Sequence, residues 1–175
     1  YESLYANTTG ANNTAVGYRA LYANTTANHN AGFGYWALKS NTTGTGNTGL
    51  GSNAARTITT GSYNTAAGTY SLSNVTTSSN NTAFGYQSLA ENTSGSQNTA
   101  VGKDALAANL GGGSNTAVGY FALDSNTSGA KNTAVGCEAG DATTTGADNV
   151  FVGYLSGTHA VDNTTGAQNI FVGAY

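Results

Sequence analysis

The chain is built from one short unit that returns every 17 residues, and this repeat limits the folds it can adopt. The consensus reads Asn-Thr-Ala-Val-Gly-Tyr-x-Ala-Leu-x-x-Asn-Thr-Thr-Gly-x-x, and we number its positions from the first asparagine. The last interval contains three additional residues near His159. We expect residues 1–175 to form a single repeat array, a segment of a longer or polymeric fibre. The repeats begin at Asn13, Asn30, Asn47, Asn64, Asn81, Asn98, Asn115, Asn132, Asn149 and Asn169.

The repeat predicts an all-β fold, a parallel β-solenoid (β-roll) of about ten 17-residue coils. Thr-x-Val alternation and the residue types Thr, Val, Phe and Tyr favour strands, and Asn-Thr-Thr-Gly is typical of turns. We therefore expect two short strands and two turns in each coil. The sequence contains no proline, so every strand amide is available to the ladder between coils. The asparagines at positions 1 and 12 are predicted to form amide ladders.

Two columns of the repeat have assigned structural roles. Position 5 is always glycine, which indicates a positive φ or the close approach of another backbone. These glycines are Gly17, Gly34, Gly51, Gly68, Gly85, Gly102, Gly119, Gly136, Gly153 and Gly173. Position 4 is always apolar and is predicted to form the core together with the leucines of position 9. The core column comprises Val16, Phe33, Leu50, Phe84, Val101, Val118, Val135, Val152 and Val172.

The composition excludes several partners. Charged residues make up 7% of the chain, and five Lys and Arg residues with a net charge of −3 do not form a nucleic-acid-binding surface. No apolar run is long enough for a membrane helix, so we expect no membrane insertion. Cys137 is the single cysteine and has no partner for an internal disulfide.

We expect no enzymatic activity, no catalytic residues, no metal site and no cofactor. His29 and His159 lie about eight coils apart, and no Ser-His-acid arrangement follows from the repeat. Asp124, Asp141 and Glu138 are expected to form a solvated edge rather than a cation site. Cys137 is interpreted as a small apolar filler rather than a reactive thiol.

The Asn-x-Ser/Thr pattern recurs in one turn of the repeat and marks candidate glycosylation sites. In this interpretation the turn faces outward, and covalent glycans would keep a weakly charged chain soluble. The opposing interpretation is that a chain rich in Asn and Thr generates such triplets by chance. The candidate sites are Asn7, Asn24, Asn41, Asn74, Asn92, Asn126 and Asn163.

Position 6 is tyrosine in most repeats. The column is interrupted by Ser52, Thr69, Lys103 and Cys137. Two interpretations stand: a structural ladder that shields the glycine turn, or a platform for sugar rings or another subunit.

The segments Asn13–Leu21 and Asn115–Leu123 resemble the Asn-Thr-Ala-Val-Gly-Tyr-x-Ala-Leu arrays of bacterial and phage tail-fibre-like surface proteins. They are more distantly similar to the heads of trimeric autotransporter adhesins, whose Ile-Gly corresponds to Val118 and Gly119. That resemblance implies a left-handed β-roll assembled as a trimer. The period is longer here, and Thr116 stands in place of the first Val of the head motif.

These observations predict a structural β-solenoid of an extracellular or virion surface fibre. Its partner is expected to be itself, as a homotrimer or as a helical or end-to-end filament. The alternative is an adhesin or tail-fibre head that binds host surface glycans or matrix, with a search for ligand beginning at Trp36. A third hypothesis, ice binding by the Thr-Thr pairs, is disfavoured because adjacent strand residues point to opposite faces.

Overall fold

A computed structural model describes residues 1–158 and 165–174 and shows a β-solenoid. Ten strands form one parallel sheet in chain order, each paired with the next. No helix in this part of the chain is long and apolar enough to cross a membrane. The strands are β1 (Thr14–Val16), β2 (Ala31–Phe33), β3 (Thr48–Leu50), β4 (Thr65–Ala67), β5 (Thr82–Phe84), β6 (Thr99–Val101), β7 (Thr116–Val118), β8 (Thr133–Val135), β9 (Val150–Val152) and β10 (Ile170–Val172).

The coils stack in register, so that each residue lies beside the residue at the same repeat position of the next coil. We number the coils from 1 (residues 1–12) to 10 (from Asn149), and coils 2 to 9 each begin at a position-1 asparagine. Ala117 of β7 pairs with Ala134 of β8 in this way. The Thr116 amide donates to the Asn132 carbonyl oxygen at 2.8 Å, which joins coil 8 to coil 9. The predicted parallel solenoid is therefore confirmed.

Each of coils 2 to 9 contains one strand, and the prediction of two strands was wrong. The second apolar stretch adopts a different backbone, in which positions 7 and 9 are left-handed. Arg19 and Leu21 have φ values of 53° and 52°. This conformation costs a non-glycine residue on the order of 1 kcal/mol. Hydrogen bonds between coils offset the cost, as where the Leu21 amide donates to the Ala37 carbonyl oxygen at 3.0 Å.

The glycine column has both properties that the sequence predicts. All ten position-5 glycines have positive φ, from 126° to 146°. The backbones of neighbouring coils also approach closely there. A Cβ built on Gly34 would lie 2.6 Å from the Gly51 carbonyl oxygen, closer than any side chain tolerates. The column therefore sets the distance between coils.

The core consists of small residues at positions 3 and 8 and leucine at position 9. Leu106 and Leu123 are fully buried, as are Ala105 and Ala117, which confirms the leucine part of the prediction. The sizes at position 9 of coil 9 and position 3 of coil 10 are complementary. Where Gly140 replaces leucine, the Phe151 ring of the next coil fills the space, and a Cβ at 140 would lie 2.6 Å from its Cδ2 atom. Packing here is tight enough that the missing leucine side chain at 140 is replaced by the larger ring at 151.

The prediction that position 4 forms the core was wrong. In a three-residue strand the middle residue points inward and its two neighbours point outward. The inward residue is position 3, exemplified by buried Ala117, while Val118 is 37% exposed. The residues that lie on the outer surface instead of in the core are Val16, Phe33, Leu50, Phe84, Val101, Val118, Val135, Val152 and Val172.

Two asparagine ladders run along the inside of the turns, as predicted. In the position-12 ladder, Asn109 Nδ2 donates to Asn92 Oδ1 at 3.0 Å and to the Gly112 carbonyl oxygen at 2.9 Å. Asn109 Oδ1 accepts in turn from Asn126 Nδ2 at 2.8 Å. In the position-1 ladder, Asn115 Oδ1 accepts a hydrogen bond from the backbone amide of Asn132, the equivalent residue of the next coil. A side-chain amide suits this role because it is donor and acceptor at once.

Gly119→Ala is expected to destabilise the chain by about 3 kcal/mol or more. The added Cβ would collide with the Gly136 carbonyl oxygen, and Gly119 has a φ of 146° that alanine rarely adopts. The matched control is Gly111→Ala in the same region, where the nearest atom to the new Cβ is Ser94 Oγ at 3.3 Å. Urea unfolding followed by circular dichroism measures both, and equal midpoints for the two variants would contradict the role given to the column.

Asn109→Ala is expected to cost about 3 kcal/mol, because it leaves Asn92 Oδ1, the Gly112 carbonyl and the Asn126 amide with a lost partner in a buried site. Asn74→Ala is the control. Asn74 is partly exposed and donates to Glu91 Oε2 at 3.0 Å, so a loss below about 1 kcal/mol is expected. Chemical denaturation of both variants checks the difference, and a small effect at Asn109 would show that the ladder is dispensable.

Candidate self-association surfaces

The outer sheet face, defined by positions 2 and 4 of the ten strands, is an uncharged and largely apolar strip. Position 2 is mostly threonine and position 4 is Val, Phe, Leu or Ala. Val101, Val118, Val135 and Val152 follow one another at 37% to 41% exposure. Nine steps of about 4.8 Å make the strip roughly 43 Å long. A continuous apolar column of this length is unusual on a protein that stays alone in solution.

Three tyrosines of position 6 stack on one another at the start of the chain. The rings of Tyr1 and Tyr18 stack at 6.0 Å between centroids, and those of Tyr18 and Tyr35 at 5.5 Å. Tyr35 also stacks on Trp36 at 4.8 Å. Stacked rings cover one another's faces and leave mainly their edges exposed. For these three tyrosines the arrangement fits the structural-ladder interpretation better, because sugars stack on ring faces. Both interpretations stay open for Tyr86, Tyr120 and Tyr154, which non-aromatic residues of the column separate.

Trp36 is the single tryptophan of the chain and Cys137 its single cysteine. The Trp36 ring lies under the Lys39 ammonium, 4.2 Å from the ring centroid, and its Nε1 is buried with no hydrogen-bond partner. Cys137 is partly exposed, with Sγ 3.9 Å from Glu138 Oε1.

The glycosylation prediction was wrong for four of its asparagines. Asn24, Asn41, Asn92 and Asn126 have no exposed surface, because their side chains point inward and form the position-12 ladder. Their Nδ2 atoms, where a sugar would be attached, donate to carbonyl oxygens within the coil. A folded coil therefore has no room for an N-linked glycan at these positions.

The other three candidates have different outcomes. Asn7 and Asn74 are partly exposed, and their glycosylation stays a prediction. Asn163 lies outside the described residues. The threonines of the same turn face two ways: Thr25 Oγ1 donates to the Thr42 carbonyl oxygen of the next coil at 3.1 Å, while Thr26 is exposed.

The charged turn face, defined by positions 7 and 10, carries most of the charge of the described chain. These positions are neighbours in space, since the Arg19 guanidinium of position 7 lies 5.1 Å from the Tyr22 ring of position 10. Reading the two columns coil by coil would have found this face in the sequence. Its charged residues are Glu2, Arg19, Lys39, Arg56, Asp104, Asp124, Glu138 and Asp141.

Asp124 is the most perturbed carboxyl group of this face. Burial, followed by the repulsion of Asp104 and Asp141, raises its pKa to about 6 against the attraction of Lys103. Lys103 is paired instead with Asp104, Nζ to Oδ2 at 2.6 Å, and this hydrogen bond raises the pKa of the lysine. Asp124 thus has a carboxylate neighbour in coil 7 and another in coil 9, while the one nearby lysine pairs with Asp104.

Cations predominate in coils 2 to 4 of the charged turn face, nearer the start of the chain. Arg19 Nε donates to Glu2 Oε2 at 2.5 Å, and this contact raises the pKa of the arginine. Lys39 and Arg56 form no ion pair with any carboxylate of residues 1–158 and 165–174. The same residues contain no group of three side chains suited to a metal ion.

Comparison of the chain with protein-family models, with curated proteins and with solved structures finds no match to any of them.

The raised pKa of Asp124 predicts that folding stability falls as the pH rises from about 4 to about 6. The folded chain binds this proton more tightly than the unfolded chain, so the stabilisation is complete at low pH and lost above the folded pKa. After allowance for solvent screening of a half-buried group, Asp124→Asn should gain about 1 kcal/mol at pH 7 and little at pH 4. Urea unfolding at both pH values measures this, with Asp148→Asn as the control. Equal gains at the two pH values would contradict the assignment.

Proposed function

We propose that the chain is a structural element of an extracellular or virion surface fibre, and that copies associate side by side through the outer sheet face. The observation that carries this proposal is the exposed apolar column of position 4, which runs the length of the described solenoid. The coils supply a stiff, extensible rod, and the outer face supplies the contact between rods.

The physical case rests on the area of this column. Four consecutive valines at 101, 118, 135 and 152 lie in one row, and each is already anchored by a strand on both sides. Covering a half-exposed valine stabilises a contact by about 1 kcal/mol. Because the strands are preordered, little conformational entropy is lost when two such rows meet. Repetition therefore turns a weak contact per coil into a stable interface.

Arrangement of the rods as a homotrimer is part of the proposal. It is supported by the resemblance of the repeat to trimeric β-roll heads, and by a face without charges that would repel when three copies meet at one axis. An extracellular position is supported by the same resemblance. Glycans on the buried asparagines form no part of the proposal.

Replacement of Val118 and Val135 by glutamine should weaken self-association by roughly a hundredfold, because apolar contact is lost and two amides must be desolvated. The matched control is Ser128→Gln with Thr145→Gln, which places the same side chains on exposed positions of the same two coils. Sedimentation velocity across a concentration series measures the assembly of each protein.

The two variants separate the competing outcomes. Association of the wild type and the control, but not of the outer-face variant, is expected. A wild-type chain that stays monomeric at all concentrations would overturn the proposal. Saturable binding of cell-surface glycans by that monomer would instead favour the adhesin function.

A further inference from the structure

The charges of the turn face follow an order that the repeat itself does not require. Its three cations lie in consecutive coils near the start of the chain, with Arg19 in coil 2, Lys39 in coil 3 and Arg56 in coil 4. Its four later carboxylates lie in three consecutive coils, with Asp104 in coil 7, Asp124 in coil 8, and Glu138 and Asp141 in coil 9. Coils 5 and 6 between them carry only uncharged residues at positions 7 and 10.

The order of charges along one rod is complementary to the order along a second rod that runs in the opposite direction. In an antiparallel pair with its centre between coils 5 and 6, coil 2 meets coil 9, coil 3 meets coil 8, and coil 4 meets coil 7. Lys39 then faces Asp124. Arg56 faces coil 7, where Asp104 is buried and paired with Lys103 of its own chain. Arg19, which Glu2 neutralises in part, faces Glu138 and Asp141. Lys39 and Arg19 each meet a carboxylate of the second copy, and positions 7 and 10 of their coils place no like charges opposite one another.

We propose that the charged turn face binds a second copy of this chain in antiparallel orientation, about a two-fold axis that lies between coils 5 and 6. A two-fold contact of this type uses the same patch on both copies, so each matched pair occurs twice. Lys39 and Arg56 have no carboxylate partner within the described chain, which leaves them available for the contact.

Parallel packing through this face is unfavourable. In a parallel, in-register pair each coil meets its own equivalent, so Lys39 faces Lys39 and Asp124 faces Asp124. Like charges placed opposite one another at an interface are strongly repulsive. The crowding of Asp124 with Asp104 and Asp141 already carries this repulsion within one chain, and the cations of a reversed copy would relieve it.

The inference is separate from the proposed function, because it concerns a different surface. The outer sheet face has no charges and places no condition on this contact. The experiment is therefore made in the background of Val118→Gln and Val135→Gln, where the association that remains belongs to the turn face. Failure of the outer-face proposal leaves this measurement unaffected.

Charge reversal tests the pairing of coil 3 with coil 8. Lys39→Glu and Asp124→Lys should each weaken dimerisation by about tenfold or more at low salt, because each creates two repulsive contacts per dimer. The two substitutions together should restore it to within about threefold of the background protein. Lys131→Glu with Asp148→Lys is the control, since it exchanges the same charges on exposed residues of position 17. Dimerisation by the background protein should also weaken as salt is raised.

Cross-linking tests the orientation. Cys137→Ser is added to remove the natural thiol, and cysteine is then placed at Ser40 in coil 3 and Ser125 in coil 8, both at position 11. With a short bismaleimide, a mixture of the Ser40→Cys and Ser125→Cys proteins should give a heterodimer. The variant with both substitutions should give a closed dimer with two cross-links.

The other arrangements give different products. A parallel, in-register pair would link each single variant to itself. A parallel pair staggered by five coils would give the heterodimer, but it would convert the double variant into open chains of many copies. Either product would overturn the inference. A background protein that does not dimerise at low salt would also overturn it, and so would loss of rescue in the charge-reversed double variant.

Discussion

Stacking in register is the constraint on which the rest of this structure depends. Because every residue lies beside its equivalent in the next coil, each column must consist of side chains that tolerate copies of themselves. Glycine permits the closest approach, as between Gly34 and Gly51. Asparagine is donor and acceptor together, so stacked amides satisfy one another wherever the column continues, although Asn126 Oδ1 has no partner beside Thr143. Charged side chains repel their own kind at this spacing, which explains why they make up only 7% of the chain.

The sequence predicts those features that depend on self-compatibility, and the structure agrees with them. The period, the parallel sheet, the left-handed glycines and the amide ladders all follow from what a column can contain. The sequence does not by itself give the direction in which a short strand points. Val118 is more apolar than Ala117, and hydrophobicity alone therefore places the wrong one inside. The informative signal is the joint change of Gly140 and Phe151, which marks position 3 as an interior site.

The candidate surfaces were harder to predict for the same reason. Asn-Thr-Thr has the form of a glycosylation site, but a ladder of buried amides uses the same letters, and only the stacking of coils decides between them. Once it is known which strand residues point inward, the residues of the outer sheet face are known as well. The charged turn face requires a comparison of distant coils, since Lys39 and Asp124 are unremarkable within their own repeats. The two surfaces allow contacts of different symmetry, and together they would join rods into a bundle.

The size match between positions 9 and 3 also bears on how such an array changes length. Gain or loss of whole coils by unequal recombination preserves the register wherever the breakpoints fall between equivalent repeats. It does not preserve the match between Gly140 and Phe151, which lie in different coils and depend on each other's volume. A breakpoint between them would join phenylalanine to a leucine coil, or alanine to a glycine coil. Recombination that separates Gly140 from Phe151 should therefore be selected against.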